Sequence, residues 1–354
     1  LQAAGLTTTQ VAALETADFA ALSATAVGAL SSSQLGVLTT SQVVALTTAQ
    51  AAALTAAQTA GLSSGQITSI ETADLAALKT SVIAALTASQ LAGLTTTQIA
   101  ALTTAQKAVL PAAGMSTDQI SALTTTEISK LSTATIAGLT TTQIQVMSTD
   151  QIAALTTTAI QTLSSTQIGA LTTSQVAALT TLQAGALGTT QAAGLTTTQI
   201  QALEIADAAK LSTSVINGLS TTQIGALTSP QIAGLTTTQA ASLGTKQLAG
   251  MSTAQVASME TADFAALSTT TLASLSTSQI ANLGPDQFAA LSTTSIGALT
   301  TTQLGAITNP QFQALNTTQV ASIKSTQITG LSTSQISQIE AADLAVLKTN
   351  VLAA

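Results

Sequence analysis

Leucine returns every eight residues along almost all of this 354-residue chain, and that spacing excludes a single continuous helix. At about 100° per residue, eight residues turn through about 800°, which is about 80° beyond two full turns. A leucine stripe on one helix would creep around its axis by that amount per repeat and leave no lasting core face. Some device must restart the backbone in every octad. The spacing holds from Leu6 through thirteen octads to Leu110, then resumes at Met115 for twenty-nine more to Leu347, with Met or Ile sometimes in place of Leu. The one break, residues 110–115, contains Pro111 and Gly114 and is expected to mark a kink or a single longer element. Residues 1–354 are therefore read as one octapeptide-repeat array. Because the chain opens at Leu1 rather than Met and closes in mid-repeat at Ala354, it is read as an excerpt of a longer protein.

The restart device is written in the consensus Leu, Ser/Thr, Thr, variable, Gln, Ile/Val, variable, Ala, as in Leu94-Thr95-Thr96-Thr97-Gln98-Ile99-Ala100-Ala101. A Ser or Thr followed three residues later by Gln is a capping box, in which each side chain satisfies an orphan backbone N–H of a helix start. Leu94 and Ile99 are placed as its hydrophobic staple. Each octad then predicts about a turn and a half of helix, followed by a bend. Helices so short are unstable alone and need neighbours to bury their apolar faces. Alanine or glycine at the eighth position lets such neighbours approach closely. The expected fold is all-α, a solenoid of very short capped helices. A β-solenoid is the alternative, since Thr, Ile and Val favour strands. The half-octad Gln-Ile-Ala-Ala-Leu lacks strict alternation, however, and is built of good helix formers.

Composition narrows the chemistry. Apolar residues make up 46% of the chain but charged residues only 6%, where ordinary domains carry about a quarter. The surface is thus wetted by hydroxyls and amides, and little charge repulsion opposes self-association. All seven basic residues are scattered lysines against fourteen acids, for a net charge of −7, so no basic stripe for nucleic acid exists. There is no Cys and no His, hence no disulfide framework, no thiolate or imidazole metal site, and no base to activate the many hydroxyls. A Ser/Thr/Gln cluster in every octad interrupts any apolar run before the length of a membrane span.

Ten of the fourteen acids fall in five look-alike octads: Glu15/Asp18, Glu71/Asp74, Glu204/Asp207, Glu260/Asp263 and Glu340/Asp343. Asp occupies the Gln position each time, and Glu127 occupies it once more. In all six cases the next octad also lacks its Gln, having Ala26, Val82, Thr135, Val215, Thr271 or Val351 there. Elsewhere the Gln is missing only at Ala159 and Ser295. Two readings stand: successive Gln side chains meet in an amide ladder that an acid would break, or a two-octad cassette was duplicated. Two carboxylates fall short of the six to eight oxygens that Ca²⁺ takes, and they have no His, Arg or Tyr around them for acid–base work. No catalytic, cofactor-binding or metal-ligating residue is assigned, and the chain is not read as an enzyme.

Leu38-Thr39-Thr40-Ser41-Gln42-Val43-Val44-Ala45-Leu46 resembles the opening helix of a TAL-effector DNA-binding repeat. That resemblance implies a short capped helix only, because the 34-residue period and basic contacts of that family are missing. The repeat Leu-Ser/Thr-x-x-Gln-Ile-x-Ala-Leu as a whole is similar to giant Thr/Ala-rich repetitive surface or secreted proteins of bacteria, labelled adhesion or haem-utilization proteins. The resemblance implies a structural protein at the cell surface or outside the cell, with copies of itself as partner. Without His, it implies no haem chemistry. The expected function is a self-associating filament, sheath or adhesin stalk. Alternatives are a protein-binding scaffold, which would want the Tyr, Trp or Arg anchors this chain lacks, and a Thr-rich face toward ice or carbohydrate.

Overall fold

In a computed structural model, which describes residues 3–352, the chain folds into more than forty α-helices of four to six residues each and two short 3₁₀ turns. No strand occurs among the described residues, so the helical solenoid and not its β rival is the fold. Octads of consensus sequence start at their cap. Thr39, in extended conformation, accepts from the Gln42 N–H through its hydroxyl at 3.2 Å, while its own N–H donates to Gln42 Oε1 at 2.8 Å. The helix then runs Thr40–Val44 and ends in a tightened turn, the Leu46 N–H bonding the Val43 carbonyl at 3.2 Å. The extended cap redirects the chain into the next octad.

The chain comprises two compact units, Leu1–Leu171 and Thr172–Ala354, a boundary that does not fall at the 110–115 break. Within each unit every helix packs on the third one along. In the first, Ala24–Gly28 packs on Thr48–Ala53, which packs on Thr72–Ala77; in the second, Thr197–Ala202 packs on Thr221–Ala226 and that on Thr245–Gly250. Three octads therefore make one turn of the coil. The interior is filled by positions one and six of each octad, such as Leu38 with Val43 and Leu227 with Ile232. All four phenylalanines occupy position six, and Phe264, Phe288 and Phe312 follow one another at intervals of 24 residues, one per turn on one side of the second unit.

Small residues at positions seven and eight govern how closely turns approach. Position seven of one octad meets position eight of the octad three further on, and at Gly36/Gly61, Gly225/Gly250 and Gly305/Gly330 both partners are glycine. None of these glycines has a positive φ, so the requirement is space and not backbone freedom. A Cβ on Gly250 would lie 2.5 Å from the Thr221 carbonyl oxygen and 2.8 Å from Ile224 Cγ2. Gly250→Ala is therefore expected to destabilise the second unit by about 1–3 kcal/mol. Gly65→Ala should not, since a Cβ there meets nothing closer than 4.0 Å. Thermal unfolding of the two variants checks the pair.

The break turns out to be neither a longer element nor a loss of register. Pro111 precedes a 3₁₀ turn, Ala112–Gly114, which takes the place of one helix. That turn packs on Ala88–Gly93 behind it and on Thr133–Ala137 ahead, each the third element away. Three missing residues are thus absorbed by one shortened side of the coil.

Candidate functional site

The element that repeats from turn to turn is built around the buried glutamine. Its Oε1 is used by its own cap, which leaves the two Nε2 hydrogens to seek acceptors inside the coil. At Gln42 they find the carbonyls of Leu14 at 2.9 Å and Val11 at 3.1 Å, 28 and 31 residues back. The Val11 carbonyl, which also accepts the Leu14 N–H at 3.3 Å, and the Leu14 carbonyl lie at the end of the helix Thr8–Ala12 in the preceding turn. The same offsets recur at Gln58, Gln143, Gln231 and Gln303. One side chain therefore caps the start of its own helix and closes the end of a helix a turn below. Across the break the offsets shrink by three, Gln119 bonding Leu91 and Leu94 at 28 and 25 residues.

This geometry corrects the amide-ladder expectation. Glutamines eight residues apart lie a third of a turn apart, on different sides of the coil, and they spend their amide hydrogens on backbone carbonyls. The loss of Gln after every acid is not explained by any contact in the structure.

The acidic octads lose both halves of the device. Glu71, Glu204 and Glu260 stand at the cap but make no side-chain cap bond. Asp74, Asp207 and Asp263 stand at the glutamine position, all buried to 3% exposure or less, with no hydrogen to offer the carbonyls when ionised. Asp263 Oδ1 instead accepts the Thr237 hydroxyl at 2.7 Å, and the Thr48 hydroxyl lies beside Asp74. Burial raises the Asp74 carboxyl above its ordinary range, offset in part by that hydroxyl and aided by the Glu71 charge. Asp18 is exposed and Asp343 half-buried. No group of three or more potential metal ligands occurs among the described residues.

Sequence reading missed one site. Lys107 occupies position six, where its neighbours are apolar, and is buried. Its Nζ donates to the Ala100 carbonyl at 2.7 Å and to Glu127 Oε1, forming the one ion pair among the described residues. Glu127 Oε2 still accepts the Thr124 N–H at 2.8 Å. The pair thus divides the glutamine's work: a carboxylate oxygen caps the helix, and the lysine supplies the inward hydrogen. Lys107 and its hydrogen bond hold the Glu127 carboxyl below its ordinary value against the opposing cost of burial. The signal available in the sequence was the only charged residue at position six.

Comparison with known proteins gives this periodicity a family. Seven segments, 11–48, 67–104, 127–157, 152–181, 200–237, 256–293 and 286–317, match the ALTTAQ repeat and together span more than half of the chain. The chain belongs to the ALTTAQ repeat family. Four of the seven ALTTAQ matches begin four residues before the glutamate of an acidic octad, at Glu15, Glu71, Glu204 and Glu260. That alignment supports the duplicated-cassette reading of the acids. No curated protein matches the chain. The ALTTAQ array is a repetitive, structural-type protein, and none of its described helices is long and apolar enough to cross a membrane.

Proposed function

We propose that this ALTTAQ-repeat chain self-associates, side by side or end to end, as part of an extracellular filament, sheath or adhesin stalk. The observation that carries the reading is the sameness of the surface. Positions two to four of most octads are exposed and are mainly Ser, Thr and Ala, as at Thr196-Thr197-Thr198 and Ser220-Thr221-Thr222. Equivalent sites spaced along a coil let one contact repeat many times, and contacts that do not close on themselves make fibres. Few charges oppose this. Inward glutamines hold the turns together, leaving the outward rows free for packing between copies.

Purified chain concentrated at physiological salt should give fibres by negative-stain microscopy, with light scattering that rises with concentration. Monodisperse monomers at high concentration would contradict the proposal.

A further inference from the structure

Asp207 is unlike any other described residue in the interior of the second unit. It occupies the glutamine position, is 1% exposed, and its Oδ2 has no hydrogen-bond partner. At Gln231 and Gln239 the residues 28 and 31 positions back receive the amide hydrogens; for Asp207 those residues are Leu179 and Val176. An ionised Asp207 would present lone pairs to carbonyl lone pairs, whereas a carboxylic acid carries the missing donor. The elements packed on its helix, Thr181–Ala186 and Ser229–Ala233, carry no titratable side chain. On its own octad, Glu204 lies three residues before it and Lys210 three after, both exposed and neither in an ion pair with it.

We propose that Asp207 is a proton-operated stitch: protonated, its carboxyl donates to the Leu179 carbonyl as an amide does elsewhere, and ionised, it releases the seam between those two turns. Burial, seconded by the Glu204 charge, moves its pKa from 3.8 up to about 6. A raised folded pKa gives a contribution fully present below 3.8 and lost as pH rises through about 6, so the seam tightens in acid. This inference stands apart from the filament proposal, since it concerns the coil within a single chain.

The test uses the full chain with ¹³C-labelled aspartate carboxyls, the Asp207 signal being assigned by its loss in Asp207→Asn. That signal should titrate near 6. Hydrogen exchange at residues 203–211, corrected for intrinsic rates, should slow about tenfold or more between pH 7.5 and pH 4.5. In Asp207→Asn, which keeps a donor at every pH, the dependence should vanish. An ordinary titration, equal protection at both pH values, or a dependence that survives in Asp207→Asn would each overturn the proposal.

Discussion

Exchanging the amide of Gln231 for a carboxylate, Gln231→Glu, is expected to cost the second unit about 3 kcal/mol or more at neutral pH. The change replaces one NH₂ by an oxygen and alters almost no volume. It removes the hydrogens that Nε2 gives to the Ile200 and Leu203 carbonyls, at 2.9 and 2.6 Å, and puts negative charge beside both. The cap half survives, because a carboxylate oxygen can still accept the Thr228 N–H. Thr222→Ala, at an exposed position that caps nothing, should stay within about 0.5 kcal/mol. Repeat arrays unfold segment by segment, so the loss is best read as local amide exchange over residues 196–236 beside the urea midpoint. Acidification should partly rescue Gln231→Glu, because a protonated side chain recovers one donor.

Removing only one member of the Lys107–Glu127 pair should cost up to about 3 kcal/mol, since it leaves a buried lysine or a half-buried carboxylate without its counter-charge. Removing both should not. Lys107→Ile with Glu127→Gln restores the consensus at both positions, and the new amide has the shortened offset that Gln119 already uses. A double-mutant cycle should therefore show single losses that nearly vanish in the double variant. The pH dependence has a definite sign. A lowered folded pKa gives stability present above the ordinary glutamate value of 4.5 and lost as pH falls through the folded one. The double variant should lack that acid-side loss. A pair loss that persists in the consensus double variant would show that the shortened side at residues 112–114 depends on this charge.

The helices were legible because their cause is local. A cap at Thr95 and Gln98 and a staple at Leu94 and Ile99 lie within six residues, so the octad carries its own instructions. The number of octads per turn was not legible by that route, because it depends on a bond between Gln42 and Leu14, 28 residues apart. A hint was present in Phe264, Phe288 and Phe312, whose 24-residue spacing is one turn. The amide ladder failed for the same reason: neighbours in sequence were taken for neighbours in space. The acids were noticed by their pattern, but the burial of Asp207 against the exposure of Asp18 depends on whether another turn covers them. Lys107 escaped attention because single lysines in a sparsely charged chain look like solvent-facing residues.

Three octads per turn is the claim on which the glutamine bonds between turns, the glycine contacts and the aspartate seam all depend, and disulfide trapping tests it most directly. The chain has no cysteine, so introduced pairs report without background. Asn309 Nδ2 lies 3.3 Å from Ser334 Oγ, 25 residues on. Asn309→Cys with Ser334→Cys should cross-link rapidly under mild oxidant, while Asn309→Cys with Thr317→Cys or with Ser325→Cys, 8 and 16 residues on, should stay reduced. Preferential cross-linking at either shorter separation would contradict the three-octad coil.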